Sequence, residues 1–199
     1  MAIIQKIVSL ITSNPKIYDF CQLILEGDYS ATIIKAVNPL PEEKIIDIGC
    51  GTGYYSKFFK CNYTGIDSEK KYIYYAQKKY QDDKNFYLAD AKKTNFPAKK
   101  FDKAVLVNII HHLDDEDLKE VLVEASRITK KEIIIFDMTD DKNTIFTPLL
   151  LALDNGKFIR SMNQQLKLIK NILSVNQYFT FQVPRKLITH SVIKCDLDT

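Results

Sequence analysis

The 199-residue chain is poor in arginine, histidine and cysteine, and it has no long apolar run. Arginine occurs only at Arg127, Arg160 and Arg185, so nearly all of the 28 basic residues are lysines. The lysines form scattered doublets, such as Lys70-Lys71 and Lys130-Lys131, interleaved with acids. That pattern describes a solvated surface and argues against a nucleic-acid face, where Arg and Lys concentrate together. The cysteines Cys21, Cys50, Cys61 and Cys195 contain no Cys-x-x-Cys pair, which removes the usual zinc and redox spacings. They read as reduced thiols of a cytoplasmic protein. Gln5 and Lys6 break the apolar start, so no signal peptide is expected, and no stretch is long enough to cross a bilayer.

What is present is an ordinary globular balance, 46% hydrophobic and 27% charged, at a length that suits one domain. The most informative stretch is Lys44-Ile45-Ile46-Asp47-Ile48-Gly49-Cys50-Gly51-Thr52-Gly53. Its isoleucines predict a buried strand, with Asp47 as a carboxylate that is costly to bury without a partner. The alternating glycines predict a turn that a ligand can approach closely, followed by a helix over residues 54–59. A tight turn with no ligand is the plain alternative.

Strands are expected at residues 63–67, 85–89, 101–107 and 132–136, and an antiparallel hairpin at 177–183 and 187–195, turning at Pro184-Arg185. Helices are expected at residues 3–11, from Asn14-Pro15 to Gly27, at 29–37, after a Ser68 cap, after Asp114 or Asp115, and at 145–153 and 162–173. Ile17, Phe20, Cys21, Ile24 and Leu25 form an apolar stripe expected to pack on the core. Segment 91–100 reads as a loop. The result is an α/β fold: a doubly wound, mostly parallel seven-stranded sheet ending in an antiparallel hairpin. Within one domain, 1–42 would form a helical cap, 43–139 the ligand-binding core, 140–175 further helices and 176–199 the hairpin.

In such sheets the ligand lies outside the carboxyl ends of the strands. Strand ends here carry Asp47 with the glycines, Asp67, Asp90 and Asn108. Each is individually consistent with a cap or turn; in register beside a glycine turn they suggest one crevice.

With these residues in view, the segment 43–137 resembles class I S-adenosylmethionine-dependent methyltransferases, through Asp-Ile-Gly-Cys-Gly-Thr-Gly at 47–53. The runs 108–113 and 124–128 resemble the small-molecule members of quinone and sterol biosynthesis. The resemblance implies S-adenosyl-L-methionine as cofactor. It places Gly49, Cys50, Gly51 and Gly53 near the methionine part and Asp47 toward the ammonium. Asp67, with Ser68, would take the ribose hydroxyls, Asp90 and Ala91 the adenine, and Asn108 the methionine side. It also implies methyl transfer by in-line displacement to a small organic acceptor. Thr129-Lys130-Lys131 replaces the family's usual Lys-Pro-Gly-Gly turn.

Two other functions stay open at this point. A dinucleotide site would want its third glycine at position 54, which is Tyr54. A cofactor-binding sensor without transferase activity would carry the same residues. His111 and His112 are candidates for a general base, or else residues that cap or pack under the next helix. His190 reads as structural. Arg160 would meet either an anionic group on the acceptor or a surface acid. Tyr18 and Phe20 would line an apolar pocket or the core. The helix at 3–11 would pack on the core or touch a membrane surface.

Overall fold

A computed structural model describes residues 13–80, 84–140, 156–183 and 188–197. The expected helices at 3–11 and 145–153 and the turn at Pro184-Arg185 lie outside these residues. The elements are α1 (Pro15–Glu26), α2 (Ser30–Val37), β1 (Lys44–Ile48), a 3-10 turn (Tyr54–Phe58), β2 (Asn62–Asp67), α3 (Lys70–Lys79), β3 (Asn85–Leu88) and β4 (Phe101–Val107). A second 3-10 turn (Ile110–His112), α4 (Asp115–Ile128), β5 (Thr129–Thr139), α5 (Met162–Lys170), β6 (Ser174–Gln182) and β7 (Thr189–Asp196) follow.

The strands form one seven-stranded sheet in the order β3-β2-β1-β4-β5-β7-β6. Pairs from β3 to β5 are parallel, and β7 runs antiparallel to both β5 and β6. The expected α/β class and terminal hairpin are therefore observed. The central strands are buried on both faces, which is why they read as unbroken apolar runs. On one face Ile45, Tyr63, Val105 and Phe136 pack under α2 and α3. On the other, Ile46, Leu106 and Ile135 pack under α4 and α5. Leu118, Val121, Leu122 and Ala125 of α4 are fully or almost fully buried. A leucine buried this way contributes about 1.5–3 kcal/mol relative to exposure.

Helix ends follow their side chains. Asn14 accepts from the Lys16 amide and Pro15 occupies the first turn of α1. Asp114 caps α4, and Ser161 with Gln164 forms the capping box of α5. The C-terminal end of α2 is tied to the sheet by Lys103, whose ammonium donates to the Val37 and Asn38 carbonyls and pairs with Glu43.

Several expectations are corrected. The helix after the glycines is only a five-residue 3-10 turn, because the chain must enter β2 at Asn62. Ser68 does not cap α3; the Asp67 carboxylate reaches forward to the Glu69 amide instead, an Asx-type turn. Strand β5 starts three residues early and runs to Thr139, and α5 ends at Lys170. Three residues of the α1 stripe are not packed away: Ile17 and Ile24 are about two-fifths exposed and Phe20 is 62% exposed, while the side chains of Cys21 and Leu25 lie outside the described residues.

Candidate functional site

Strand order reverses between β1 and β4, and a cavity of about 650 Å³ opens at their carboxyl ends. That is within the usual size of a small-molecule site. Its lining brings together Gly49, Gly51, Asp67, Ser68, Asp90, Ala91 and Asn108, all expected there from sequence. A smaller hollow of about 50 Å³ adjoins it and is lined by Asp47, Cys50 and Thr52, with Gly49, Gly51 and Asn108 shared.

The glycines differ in what they allow. At Gly49 (φ 75°) a Cβ would fall 2.3 Å from Ile109 Cδ1, so the turn needs hydrogen there for packing. At Gly51 (φ 54°) a Cβ would meet no atom of the described protein within 4 Å, so its α-carbon faces the open crevice. Gly53 lies outside both cavities' linings and packs instead on Phe86 and Ala76.

Asp47 is 2% exposed. Its Oδ2 accepts a 2.6 Å hydrogen bond from the Tyr63 hydroxyl, while its Oδ1 has no partner. Burial pushes its carboxyl up to about 7, against the lowering effect of Tyr63; the nearby Asp67 charge adds to the rise. Asp67 accepts from the Gly51 amide through Oδ2 and the Glu69 amide through Oδ1, both at 2.8 Å. Its pKa is also raised by burial, opposed by these backbone bonds. Each oxygen retains acceptor capacity toward the cavity. Asp90 takes the Lys92 amide in the same manner.

Asn108 adopts a left-handed backbone (φ 54°), a conformation asparagine tolerates better than most residues. Its amide nitrogen donates to the Tyr29 hydroxyl at 2.7 Å, and its Oδ1 lies 3.2 Å from His190 Nε2. His190 is thus structural as expected, though it holds a residue of the crevice. The two neighbouring histidines part company. His111 is buried, its Nδ1 2.5 Å from Asp137 Oδ1, with Gly156 packed against its ring. It does not line the cavity. His112 is exposed and does line it. Arg160 is buried and pairs with Asp115 while donating to the Ile110, Leu113 and Phe158 carbonyls, so it serves the fold. Cys50 turns its thiol onto Gly65 and lies within hydrogen-bonding reach of the Gly51 carbonyl, a packing use not foreseen.

Sequence reasoning left Tyr18 between two roles; it lines both cavities, 5.5 Å from the Tyr72 ring. Phe20 lines neither. Beside it Asp19 receives the Thr52 hydroxyl and the Lys79 ammonium, fastening α1 to the glycine turn and α3. Tyr63 was missed outright, since a tyrosine within an apolar strand reads as core. No cluster able to hold a metal ion occurs among the described residues, and none of their helices is long and apolar enough to cross a membrane.

Residues 46–136 match the family described as Methyltransferase domain. The ubiquinone biosynthesis O-methyltransferase of Pelagibacter ubique is 34% identical over 111 residues, 52% of this chain and 45% of that protein. The uncharacterized methyltransferase YcgJ of Bacillus subtilis is 25% identical over 130 residues, 61% of this chain and 50% of that one. The chain spans about half the length of the curated relatives it matches. In fold it is similar to geranyl diphosphate C-methyltransferase of Streptomyces coelicolor, with a TM-score of 0.70 at 11% identity over 85% of this chain and 76% of that chain.

Proposed function

We propose, from the match of residues 46–136 to the family described as Methyltransferase domain, that this chain transfers a methyl group from S-adenosyl-L-methionine to a small organic acceptor. The observation that carries this reading is the crevice itself. A buried carboxylate oxygen without a partner, an open α-carbon at Gly51 and two further carboxylates converge on it. These fit a cationic amino-acid end and a nucleoside. Asp47 Oδ1 would receive the ammonium, Asp67 the ribose hydroxyls, and Asp90 with Ala91 the adenine edge; Gly49, Gly51 and Asn108 would border the methionine portion.

The cofactor supplies an electrophilic methyl group on a sulfonium, open to in-line displacement by a nucleophile. The chain's part is to hold donor and acceptor in line, an orientation effect, and to keep water from the crevice. Tyr18 and α1, fastened through Asp19, cover one side of it. His112 is the described histidine placed to take a proton from an acceptor hydroxyl, while His111 is committed to Asp137. The similarity to a ubiquinone-pathway O-methyltransferase supports a small, ring-bearing hydroxylated acceptor.

Calorimetric titration with S-adenosyl-L-methionine tests the first layer. Asp67→Ala should weaken binding by about tenfold or more, the scale of a lost hydrogen-bond pair to a charged group. Absence of binding at millimolar concentrations would sink the assignment. Release of S-adenosylhomocysteine with a quinol acceptor separates the enzyme from a cofactor-binding sensor that transfers nothing.

A further inference from the structure

We infer that Tyr63 is a positioning residue for the cofactor's amino-acid end, holding the Asp47 carboxylate so that its second oxygen faces the ligand. The inference rests on the cofactor reading above. Strands β1 and β2 are in register with Ile45 opposite Tyr63 and Asp47 opposite Gly65. These four residues therefore share one face of the sheet. Gly65 places no side chain beside Asp47, and a Cβ there would strike Cys50 Sγ at 2.8 Å and Phe86 Cδ1 at 2.9 Å. Cys50 and Phe86 thus close over Gly65, and on the same face the phenol of Tyr63 donates to Asp47 Oδ2 at 2.6 Å.

The tyrosine is itself immobilised. It is fully buried, with the Phe59 and Phe86 rings 5.5 and 5.8 Å away. Its hydroxyl donates to one side of the carboxylate, at Oδ2. The remaining oxygen, Oδ1, is buried and has no partner, and Asp47 lines the hollow with Gly49, Gly51 and Thr52. With Oδ2 held by the phenol, Oδ1 keeps both of its lone pairs for a donor arriving from the hollow. A donated hydrogen bond also favours the ionised carboxylate, the form that attracts an ammonium. The groups acting on its charge are Asp67 at the end of β2, Cys50 in the turn and Tyr63. Tyr18 of α1 and Tyr54 and Tyr55 of the 3-10 turn line the same hollow.

The test compares two ligands on the intact chain and on Tyr63→Phe. S-adenosylhomocysteine carries the ammonium; 5′-methylthioadenosine keeps the nucleoside and sulfur but has no amino-acid end. Titration calorimetry is run from about pH 5.5 to 8.5. Tyr63→Phe should weaken S-adenosylhomocysteine about tenfold at neutral pH and leave methylthioadenosine within about twofold. Without the phenol the carboxylate holds its proton to higher pH, so the acid-side loss of affinity should begin about one pH unit higher. The deficit should then shrink toward the alkaline end. An equal loss for both ligands would mark Tyr63 as merely structural and overturn the inference. So would an unchanged affinity and pH profile. If the unaltered chain binds neither ligand, the cofactor reading falls and this inference with it.

Discussion

At the scale of single residues, Asp47 joins the site's chemistry to the stability of the fold. It is buried with one hydrogen bond, and its pKa is pushed up to about 7. In the unfolded chain the same group titrates near 3.8. The folded state therefore holds this proton over a pH range where the unfolded state has lost it. The sign follows: stability from this group is full below about pH 4 and is lost as pH rises through about 7, by on the order of 4 kcal/mol. Asp47→Asn removes the ionisation. Urea unfolding of the ligand-free chain should show the variant gaining stability relative to the unaltered protein as pH is raised from about 5 to 8. Calorimetry on the same variant should show cofactor binding weakened. An unchanged pH dependence would mean that the burial cost is relieved by another route.

At the scale of elements, α1 stands apart from the other helices. None of its described side chains belongs to either of the two buried clusters, and its visible tie to the body is Asp19, which reaches Thr52 and Lys79, together with the Tyr18 and Tyr72 rings. Asp19→Ala should loosen α1 without unsettling the sheet. Amide exchange over 15–26 should accelerate, while the global unfolding free energy changes by less than about 1 kcal/mol, as for a single partly exposed ion pair. A large global loss would show that α1 belongs to the core.

The same helix shows where sequence reading stops. Periodicity at Ile17, Phe20 and Ile24 reveals a stripe but cannot say what covers it, and these residues proved exposed. The inner strands were legible because burial on both faces demands unbroken apolar runs, as at Ile45 and Ile46 or in Ala104-Val105-Leu106. The crevice was legible because polar residues at strand ends interrupt those runs. Tyr63 and His190 were not, since their polar partners, Asp47 and Asn108, lie 16 and 82 residues away and depend on strand order. Nor did sequence separate His111 from His112, adjacent residues whose surroundings differ only once Asp137 arrives from β5.

At the scale of the whole molecule, the sheet is the frame on which everything else depends, and β1 is near its middle, between β2 and β4. Only the sheet brings Asp47, Asp67, Asp90 and Asn108, from four successive strands, to one edge. The turn after β1 is held to β2 by the Gly49 and Cys50 amides, which both donate to the Ile66 carbonyl. Cys50 lies beneath that turn against Gly65, and burial raises its thiol well above the ordinary value. Because the thiolate is the reactive form, an alkylating reagent meets an inert group as long as β1, β2 and the turn stay together. The fold thus contains its own reporter. Iodoacetamide labelling of Cys50, followed by mass spectrometry, should proceed only as fast as the centre of the sheet opens and should slow further when S-adenosylhomocysteine is added. Rapid labelling of the ligand-free chain would show that the turn separates from β2 without global unfolding. A thiol placed for packing would then serve as a clock for how often the crevice comes apart.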